Sequence, residues 1–220
     1  MATVSGVTGI DVSSNQGSVN WSLVAGQNLA FAYIRATVGA HTADARFAGN
    51  WTRIYGTGLL RGAYHFFWHL AAASDQADHF VESVGRLLPG DLPPALDLEE
   101  AYLNPAPQQD VWTTVSPDNR LPMILNWLTA VEHSVGIRPI IYSRRNFLEN
   151  LLGDKVAEVS SYLLWTAEYT AAPTPRTPTA WSSWTLWQYS DQGNVAGITR
   201  IVDQDRFNGT LTDLKNLATT

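Results

Sequence analysis

Short apolar runs alternate with amphipathic helical patterns through the first two-thirds of the chain. This alternation is typical of parallel β-α units, in which each helix returns the chain to the start of the next strand. Strands covered by helices on one face and a core on the other are nearly continuous in apolar residues. The runs with this character are VTGIDVS (7–13), AFAYIRAT (30–37), LRGAYHFFW (60–68), PALDLE (94–99) and RPIIYS (138–143).

Two of the intervening segments carry helix signals. Ser74 is expected to cap a helix, whose apolar face would hold Ala77, Phe80, Val81, Val84 and Leu88. Ser116 followed by Pro117 predicts the start of a second helix, and Gly136 predicts its end. The apolar face of this second helix is expected to hold Leu121, Ile124, Leu125, Leu128, Val131 and Val135.

The pattern changes after residue 160. Strands are predicted at YLLWTAEY (162–169), WTLWQYS (184–190) and near TRIVDQ (199–204). No helix is expected between the first two, because that segment contains Pro173, Pro175 and Pro178. A count of about eight strands and five helices predicts an α/β fold, a shortened TIM-like barrel. We expect one catalytic domain over residues 1–220, with its core over about 7–210.

The composition excludes several classes of protein. Hydrophobic residues make up 45% of the chain and charged residues 15%, which predicts a sizeable core. The net charge of −6 argues against nucleic acid and against an anionic membrane as partners. Cysteine is absent, which excludes disulfides and thiolate chemistry. No apolar run is long enough to span a bilayer, and the first residues carry no visible signal peptide.

The segment PPALDLEE (93–100) places carboxylates where a buried strand ends. Asp97 and Glu99 are two residues apart, so they share one face at a backbone spacing of roughly 6.6 Å. Leu96 and Leu98 are then expected to face the helices, and Glu100 to face solvent. Burying carboxylates is unfavourable unless something compensates for the lost hydration, which indicates a function.

Two further acids have the same relative position. Asp11 ends the first predicted strand, and Asp203 lies near the end of the last one. Catalytic groups of β/α barrels sit at the C-terminal ends of the strands. The sequence therefore predicts four acids at one mouth of a barrel, although a single Asp at a strand end often serves only a turn.

Paired carboxylates suit the cleavage of a glycosidic bond. One must remain protonated near neutral pH, and burial beside an anion raises its pKa accordingly. We expect Glu99 to be this acid and Asp97 to be its ionised partner. A hard cation bound by the same pair is the alternative, but no loop rich in Asn and Asp supplies further ligands, so neither metal nor cofactor is expected.

Nine Trp and eight Tyr residues supply many flat, amphipathic rings. Such rings either fill a core or stack against sugar faces. The acidic net charge favours sugars over nucleic-acid bases as stacking partners.

The chain resembles the lysozymes of glycoside hydrolase family 25, the Chalaropsis type, nearly from end to end. The segments that carry the resemblance, in the family's order, are GIDVSSNQG, FAYIRAT, LLRGAYHFFW, LPPALDLEE, RPIIYS, LLWTAEY, WTLWQYSDQGNVAGI and VDQDRFNG. The resemblance implies a barrel of eight strands and five helices. It also implies hydrolysis of the β-1,4 bond between N-acetylmuramic acid and N-acetylglucosamine in peptidoglycan.

The resemblance assigns roles by position. It implies Glu99 as general acid and Asp97 as companion acid, with Asp11 and Asp203 as the other acids of the site. The positions it implies for substrate binding are Arg35, Tyr64, Phe66, Tyr142, Trp165, Trp187 and Gln188. The family is thought to use the substrate's own acetamido group as nucleophile, and the sequence does not choose between this and direct attack by Asp97. Val38 stands where the family commonly has Glu, which puts one polar contact at the groove edge in doubt.

Other functions remain open at this point. A wall-binding barrel without turnover would keep the groove, and a chitinase-like glycosidase would need acids where Leu92 and Ala95 stand. His65 and His69 have helical metal-site spacing, but we interpret them as a packed ring and a surface ring. We expect a monomer that meets peptidoglycan outside the cell or at the wall, secreted or released by a phage.

Overall fold

The structure is a computed structural model and describes residues 6–102 and 110–219. Its strands form one sheet, and eight of them close into a barrel in the order β1-β9-β8-β7-β6-β5-β4-β2, with β2 pairing back to β1. The short β3 pairs only with the edge of β2. The strands are β1 (Val7–Val12), β2 (Phe31–Val38), β3 (Thr42–Ala43), β4 (Leu60–Phe66), β5 (Ala95–Leu98), β6 (Ile140–Ser143), β7 (Leu163–Ala167), β8 (Leu186–Gly193) and β9 (Val202–Phe207).

Six α-helices are found in the described part of the chain, against the five expected. They are α1 (Trp21–Ala25), α2 (Phe47–Ile54), α3 (Ala73–Val84), α4 (Pro117–Val135), α5 (Arg145–Leu152) and α6 (Leu211–Leu217). No helix lies between β7 and β8, as the prolines predicted. The predicted α/β class and TIM-like barrel are therefore confirmed. None of the described helices is long and apolar enough to cross a bilayer.

The last strand, β9, has the opposite direction to its neighbours in the barrel. β9 is antiparallel to both β8 and β1, whereas the other neighbouring barrel strands are parallel. The link from β8 to β9 contains no helix to carry the chain back, so β9 can only return in the opposite direction. Our placement of Asp203 near the end of its strand was wrong, because Asp203 lies at the beginning of β9.

Neither predicted serine cap donates or accepts a side-chain capping hydrogen bond in the described structure, and only Ser116 occupies the N-cap position of its helix. α3 begins at Ala73, its flanking Ala72 makes no side-chain cap, and the Ser74 hydroxyl instead contacts the Asp75 carboxylate at 3.3 Å. The helix ends at Gly85, which has a φ of 68°, so Leu88 lies outside it.

The predicted bounds of α4 are confirmed, with Pro117 in the first turn and Gly136 in the left-handed conformation. Trp127 joins the buried face of α4, whereas Leu125 and Val135 are only half-buried. The buried face of α4 therefore includes a large indole ring, whereas the sequence pattern predicted only aliphatic side chains there.

The core has two layers. The outer layer lies between the barrel and the helices, and Leu96 and Leu98 belong to it, as the alternation along β5 predicted. The inner layer fills the barrel with aromatic rings, including Phe31, Tyr33 and Trp165. Leu214 of α6 packs onto this inner layer at the end opposite the acids, beyond the predicted core of about 7–210.

Glycines make room for the rings inside the barrel. A Cβ atom at Gly62 would lie 2.3 Å from the Tyr33 ring, and one at Gly9 would lie 2.4 Å from the Phe31 ring. Tyr33 therefore extends across the interior, where its hydroxyl donates to the Pro93 carbonyl at 3.1 Å. The absence of a side chain at Gly9 on β1 and at Gly62 on β4 allows a closed barrel of this size to hold large rings.

We predict that Gly62→Ala lowers the free energy of unfolding by about 1–3 kcal/mol, because the added methyl group forces the Tyr33 ring to move within a packed core. Urea denaturation would measure the change. Gly49→Ala in α2 is the matched control, since its Cβ would meet only the flexible end of Arg53 at 3.7 Å. The control should gain about 0.5–1 kcal/mol, and equal effects for the two variants would contradict this account of the interior.

Candidate active site

Four acidic side chains line one cavity at the mouth of the barrel: Asp11, Asp97, Glu99 and Asp203. Asp11 and Asp97 lie near the C-terminal ends of β1 and β5, and Glu99 lies just beyond β5. Asp203 reaches the same mouth because β9 is antiparallel, so its beginning lies beside the ends of the parallel strands. Asp203 is directly opposite Asp11 in the β1–β9 register.

After β5 the chain turns so that the adjacent residues Glu99 and Glu100 have different surroundings. The indole N–H of Trp112 donates to the Glu99 carbonyl at 3.2 Å and holds the backbone there. Glu99 lines the acid cavity, while Glu100 does not. The Glu100 carboxylate lies at the partly exposed surface, 3.9 Å from the Arg144 guanidinium.

Burial raises the pKa of two of the acids toward physiological pH. It raises the pKa of Glu99 to about 7, although the positive charge of Arg144 opposes the shift. Burial also raises the pKa of Asp203 to about 6, and the nearby charge of Asp191 adds to this. A carboxyl group that keeps its proton near pH 7 can act as a general acid.

Asp97 is the acid that we expect to be the ionised partner of Glu99. Its burial and the charge of Glu99 raise the pKa of Asp97 well above the usual range, while Arg35 and Arg144 lower it. Burial therefore opposes the ionised form of Asp97, and the two guanidinium groups favour it. The Oδ1 atom of Asp97 is buried and has no hydrogen-bond partner within residues 6–102 and 110–219.

Asp205 is a fifth acid of the cluster that sequence reasoning missed. It is fully buried, it accepts a hydrogen bond from the Trp165 indole N–H at 2.9 Å, and it lies against the Asp11 carboxyl group. Burial raises the pKa of both Asp11 and Asp205. The two-residue spacing of VDQD is the signal that could have found Asp205, as it did for the pair on β5.

A polar chain links Asp11 to the rim of the cavity. The Gln188 amide donates to Asp11 Oδ2 at 2.7 Å, and its Oε1 accepts from the hydroxyls of Tyr142 at 2.9 Å and Tyr169 at 2.8 Å. Gln188 and Tyr142 were predicted site residues, whereas Tyr169 was missed. These contacts hold the Gln188 side chain in one orientation against the acid cluster.

Aromatic rings form the floor of the cavity around Trp165. Its ring centroid lies 4.7 Å from that of Tyr33, 4.9 Å from that of Tyr142 and 6.4 Å from that of Tyr64. Trp165 is only 1% exposed, and it lines the cavity beneath the acids.

Arg35 forms one wall of the cavity. Its guanidinium donates to Asp44 at 3.0 Å and to the Ser14 hydroxyl at 3.2 Å. Asp44, which sequence reasoning did not identify, also accepts from the Ser14 backbone N–H at 2.9 Å. The ion pair fixes Arg35 beside the acids, where its charge partly compensates for their burial.

Two predicted binding residues do not line this cavity. Trp187 precedes Gln188 on β8, and successive side chains of a strand point to opposite faces. It therefore lies outside the barrel, with its ring 5.9 Å from Trp184 and Arg206 above it at 5.3 Å. Phe66 shares a face with Tyr64 on β4 and is half-buried, but it is not among the residues that line the cavity.

The two histidines lie in the outer layer. His65 is fully buried between Thr37 and Gln76, and burial lowers the pKa of its imidazole to about 3. The surface position expected for His69 was wrong, because His69 is buried against Trp112. Among the described residues, no group of three or more His, Asp or Glu side chains is arranged to hold a metal ion.

Comparison with known proteins agrees with the geometry. Residues 10–198 match the family described as Glycosyl hydrolases family 25. Lysozyme M1 of Streptomyces globisporus is 33% identical, over 99% of this chain and 73% of that protein. N,O-diacetylmuramidase of Chalaropsis sp. is 30% identical, over 97% and 99% respectively. The structure of the bacterial lysozyme from Streptomyces coelicolor has a TM-score of 0.89 and 33% identity, with 97% of both chains covered.

We predict that Glu99→Gln stabilises the protein at pH 8 and not at pH 4. Between its ordinary value of 4.5 and about 7, the folded protein keeps a proton on Glu99 that the unfolded chain has lost. The free energy of unfolding of the natural protein therefore falls as the pH rises through this window. A glutamine removes this loss, on the order of 2 kcal/mol.

Urea denaturation at the two pH values would measure the difference. The control is Glu82→Gln on α3, where the carboxylate is exposed to water. This control should change stability by the same small amount at both pH values. A Glu99→Gln effect that is equal at pH 4 and pH 8 would be inconsistent with the raised pKa.

Proposed function

The chain belongs to glycosyl hydrolase family 25, and from this membership we propose that it cleaves the β-1,4 bond between N-acetylmuramic acid and N-acetylglucosamine. The chain is a glycoside hydrolase of a lysozyme family that hydrolyses peptidoglycan. The observation that carries the finer proposal is the group of carboxyl side chains in a single cavity at the barrel mouth.

Glu99 is the proposed general acid. It lines the cavity, and its pKa of about 7 leaves a proton available under neutral conditions. Protonation of the glycosidic oxygen by Glu99 lets the bond to the anomeric carbon break as the leaving sugar takes the proton. The Glu99 carboxylate then removes a proton from water in the second step, which restores the starting form.

Asp97 is the proposed partner of the substrate's acetamido group. Its buried Oδ1 atom lacks a hydrogen-bond donor among the residues of the described structure, and an acetamido N–H would supply one. Such a donor favours the ionised form of Asp97, which Arg35 and Arg144 also favour. The oriented acetamido oxygen would attack the anomeric carbon, and water would open the resulting ring with net retention. Direct attack by Asp97 also retains the configuration and is the alternative step.

The remaining polar residues have supporting roles in this proposal. Asp11 and Asp203 place negative potential near the anomeric carbon, where positive charge develops in an oxocarbenium-like transition state. Asp205 limits that charge, because its own charge raises the pKa of Asp11. Contacts with the sugars are proposed for the side chains that line the cavity: Arg35, Tyr64, Tyr142, Tyr169 and Gln188.

The substrate sets where the enzyme acts. Peptidoglycan lies in the bacterial wall, so we propose that the protein works outside the membrane, as a monomer and without a bound cofactor. Neither nucleic acid nor membrane is part of this proposal.

The experiment that tests the bond specificity is mass spectrometry of peptidoglycan fragments after digestion and reduction of their new ends. We expect reduced N-acetylmuramic acid at these ends. Reduced N-acetylglucosamine would contradict the proposed bond. A protein that pellets with bacterial walls but does not clear their suspension would indicate a binding module instead.

We predict that Glu99→Gln lowers kcat on peptidoglycan by about 10²–10⁴-fold, because glutamine cannot protonate the leaving oxygen. Binding to walls, measured by pelleting, should persist. The control is Glu100→Gln, which neutralises the adjacent carboxylate outside the acid cavity and should keep kcat within a few-fold. Near-normal turnover by Glu99→Gln would exclude Glu99 as the acid.

A further inference from the structure

A second cavity adjoins the acid cavity, and we call it the arginine cleft. It shares Arg144 and Tyr169 with the acid cavity, so the two cavities lie side by side. Its other principal lining residues are Arg145, Phe147, Glu168 and Arg176. A group attached to a sugar beside Glu99 would therefore have a path into the arginine cleft.

Two of the three guanidinium groups are already occupied. The Arg176 side chain and its own backbone N–H both donate to the Glu168 carboxylate at 2.6 Å. Arg145 donates to Glu149, one turn along α5, at 3.3 Å. Each of these two groups already has a carboxylate partner, so less of its positive charge is available to a further anion.

Arg144 is available by contrast. Its guanidinium donates no hydrogen bond within residues 6–102 and 110–219, and its only ion pair there is with Glu100 at 3.9 Å. That separation is too long for a hydrogen bond. The Arg144 side chain is 49% exposed, so it presents several N–H donors in a planar fork that matches a carboxylate.

The backbone places Arg144 next to the reacting centre. The hydroxyl of the preceding Ser143 donates to the Leu98 carbonyl at 2.8 Å, which ties the end of β6 to the end of β5. The charge of Arg144 lowers the pKa of both Asp97 and Glu99. Arg144 also precedes α5, whose first turn has no side-chain cap and adds positive potential to the arginine cleft.

We propose that Arg144 binds a carboxylate carried on the lactyl ether of the N-acetylmuramic acid residue at the cleavage site. This inference rests on the proposed function. N-acetylglucosamine is neutral, whereas the lactyl ether carries either a stem peptide with free carboxylates or, once the peptide is removed, its own carboxylate. Glu100 competes with this carboxylate for Arg144, so the subsite distinguishes muramic acid from glucosamine by charge.

The test compares three soluble glycan strands of equal length. The first carries stem peptides with free carboxylates, the second carries the same peptides with every carboxylate amidated, and the third has lost its peptides and exposes the lactyl carboxylate. KM and kcat are measured for the natural protein and for Arg144→Gln, Arg144→Lys and Glu100→Gln. Arg138→Gln is the matched control, since its exposed ion pair with Glu132 lies in neither cavity.

We expect Arg144→Gln to raise KM roughly three- to tenfold on a strand that bears carboxylates, because a charge-assisted hydrogen bond is lost. The loss of the Arg144 charge beside Asp97 and Glu99 should change kcat by the same factor on all three strands. Arg144→Lys should recover part of the affinity, because it keeps the charge. Glu100→Gln should lower KM, because the competing carboxylate is removed. The control should leave KM unchanged on all three strands.

The strands identify the source of the carboxylate. If Arg144→Gln raises KM only on the strand with free stem peptides, the bound carboxylate belongs to the stem peptide. If it also raises KM on the strand without peptides, Arg144 binds the lactyl carboxylate as well. An effect as large on the amidated strand, no effect on any strand, or a change confined to kcat would each overturn the proposal.

Calorimetry keeps this test separate from the proposed function. A stem-bearing disaccharide is titrated into Glu99→Gln and into Glu99→Gln with Arg144→Gln, and the second should bind roughly three- to tenfold more weakly. Equal affinities would overturn the Arg144 subsite even if the natural protein cleaves walls. Failure of the natural protein to release reducing ends would instead remove the proposed function.

Discussion

The exclusion of water from carboxyl groups at the barrel mouth is the constraint on which the rest of the site depends. A buried charge costs several kcal/mol unless it is paired, and here five acids share one small region with few cations. Burial is the largest cause of the raised pKa of each of them. The protein meets this cost by keeping protons on some of the acids and by placing Arg35 and Arg144 beside them. A protonated carboxyl group near neutral pH is the group that glycosidic cleavage requires.

The closed barrel makes that arrangement possible. Seven parallel strands bring their C-terminal ends to one rim, and the antiparallel β9 fills the last place with its beginning at the same rim. Below the acids, the rings around Trp165 fill the interior and exclude water from beneath. Gly9 and Gly62 provide the space for these rings. The stability of the barrel and the electrostatics of its mouth therefore depend on the same inner layer.

Much of the site could be predicted because short-range rules apply to it. The period of two along a strand places Asp97 and Glu99 together, and it applies equally to Asp203 and Asp205, where we did not use it. The same rule separates Trp187 from Gln188, because successive side chains of a strand point to opposite faces, and only Gln188 lines the acid cavity. Tyr169, Asp44 and Arg144 were missed because their roles arise from contacts between segments that are distant in the chain. The wrong cap at Ser74 is a local error, since helix ends depend on how the preceding turn packs.

The sequence by itself determined the class of fold, the order of the strands along the chain, the family and the pair of acids at the end of β5. These features follow from periodicity and from motifs that are local in the chain. Only the tertiary structure decided the direction of β9, the depth at which each acid is buried and the availability of Arg144. Direction depends on how the barrel closes. Protonation depends on how much water every surrounding segment excludes, and no single segment carries that information.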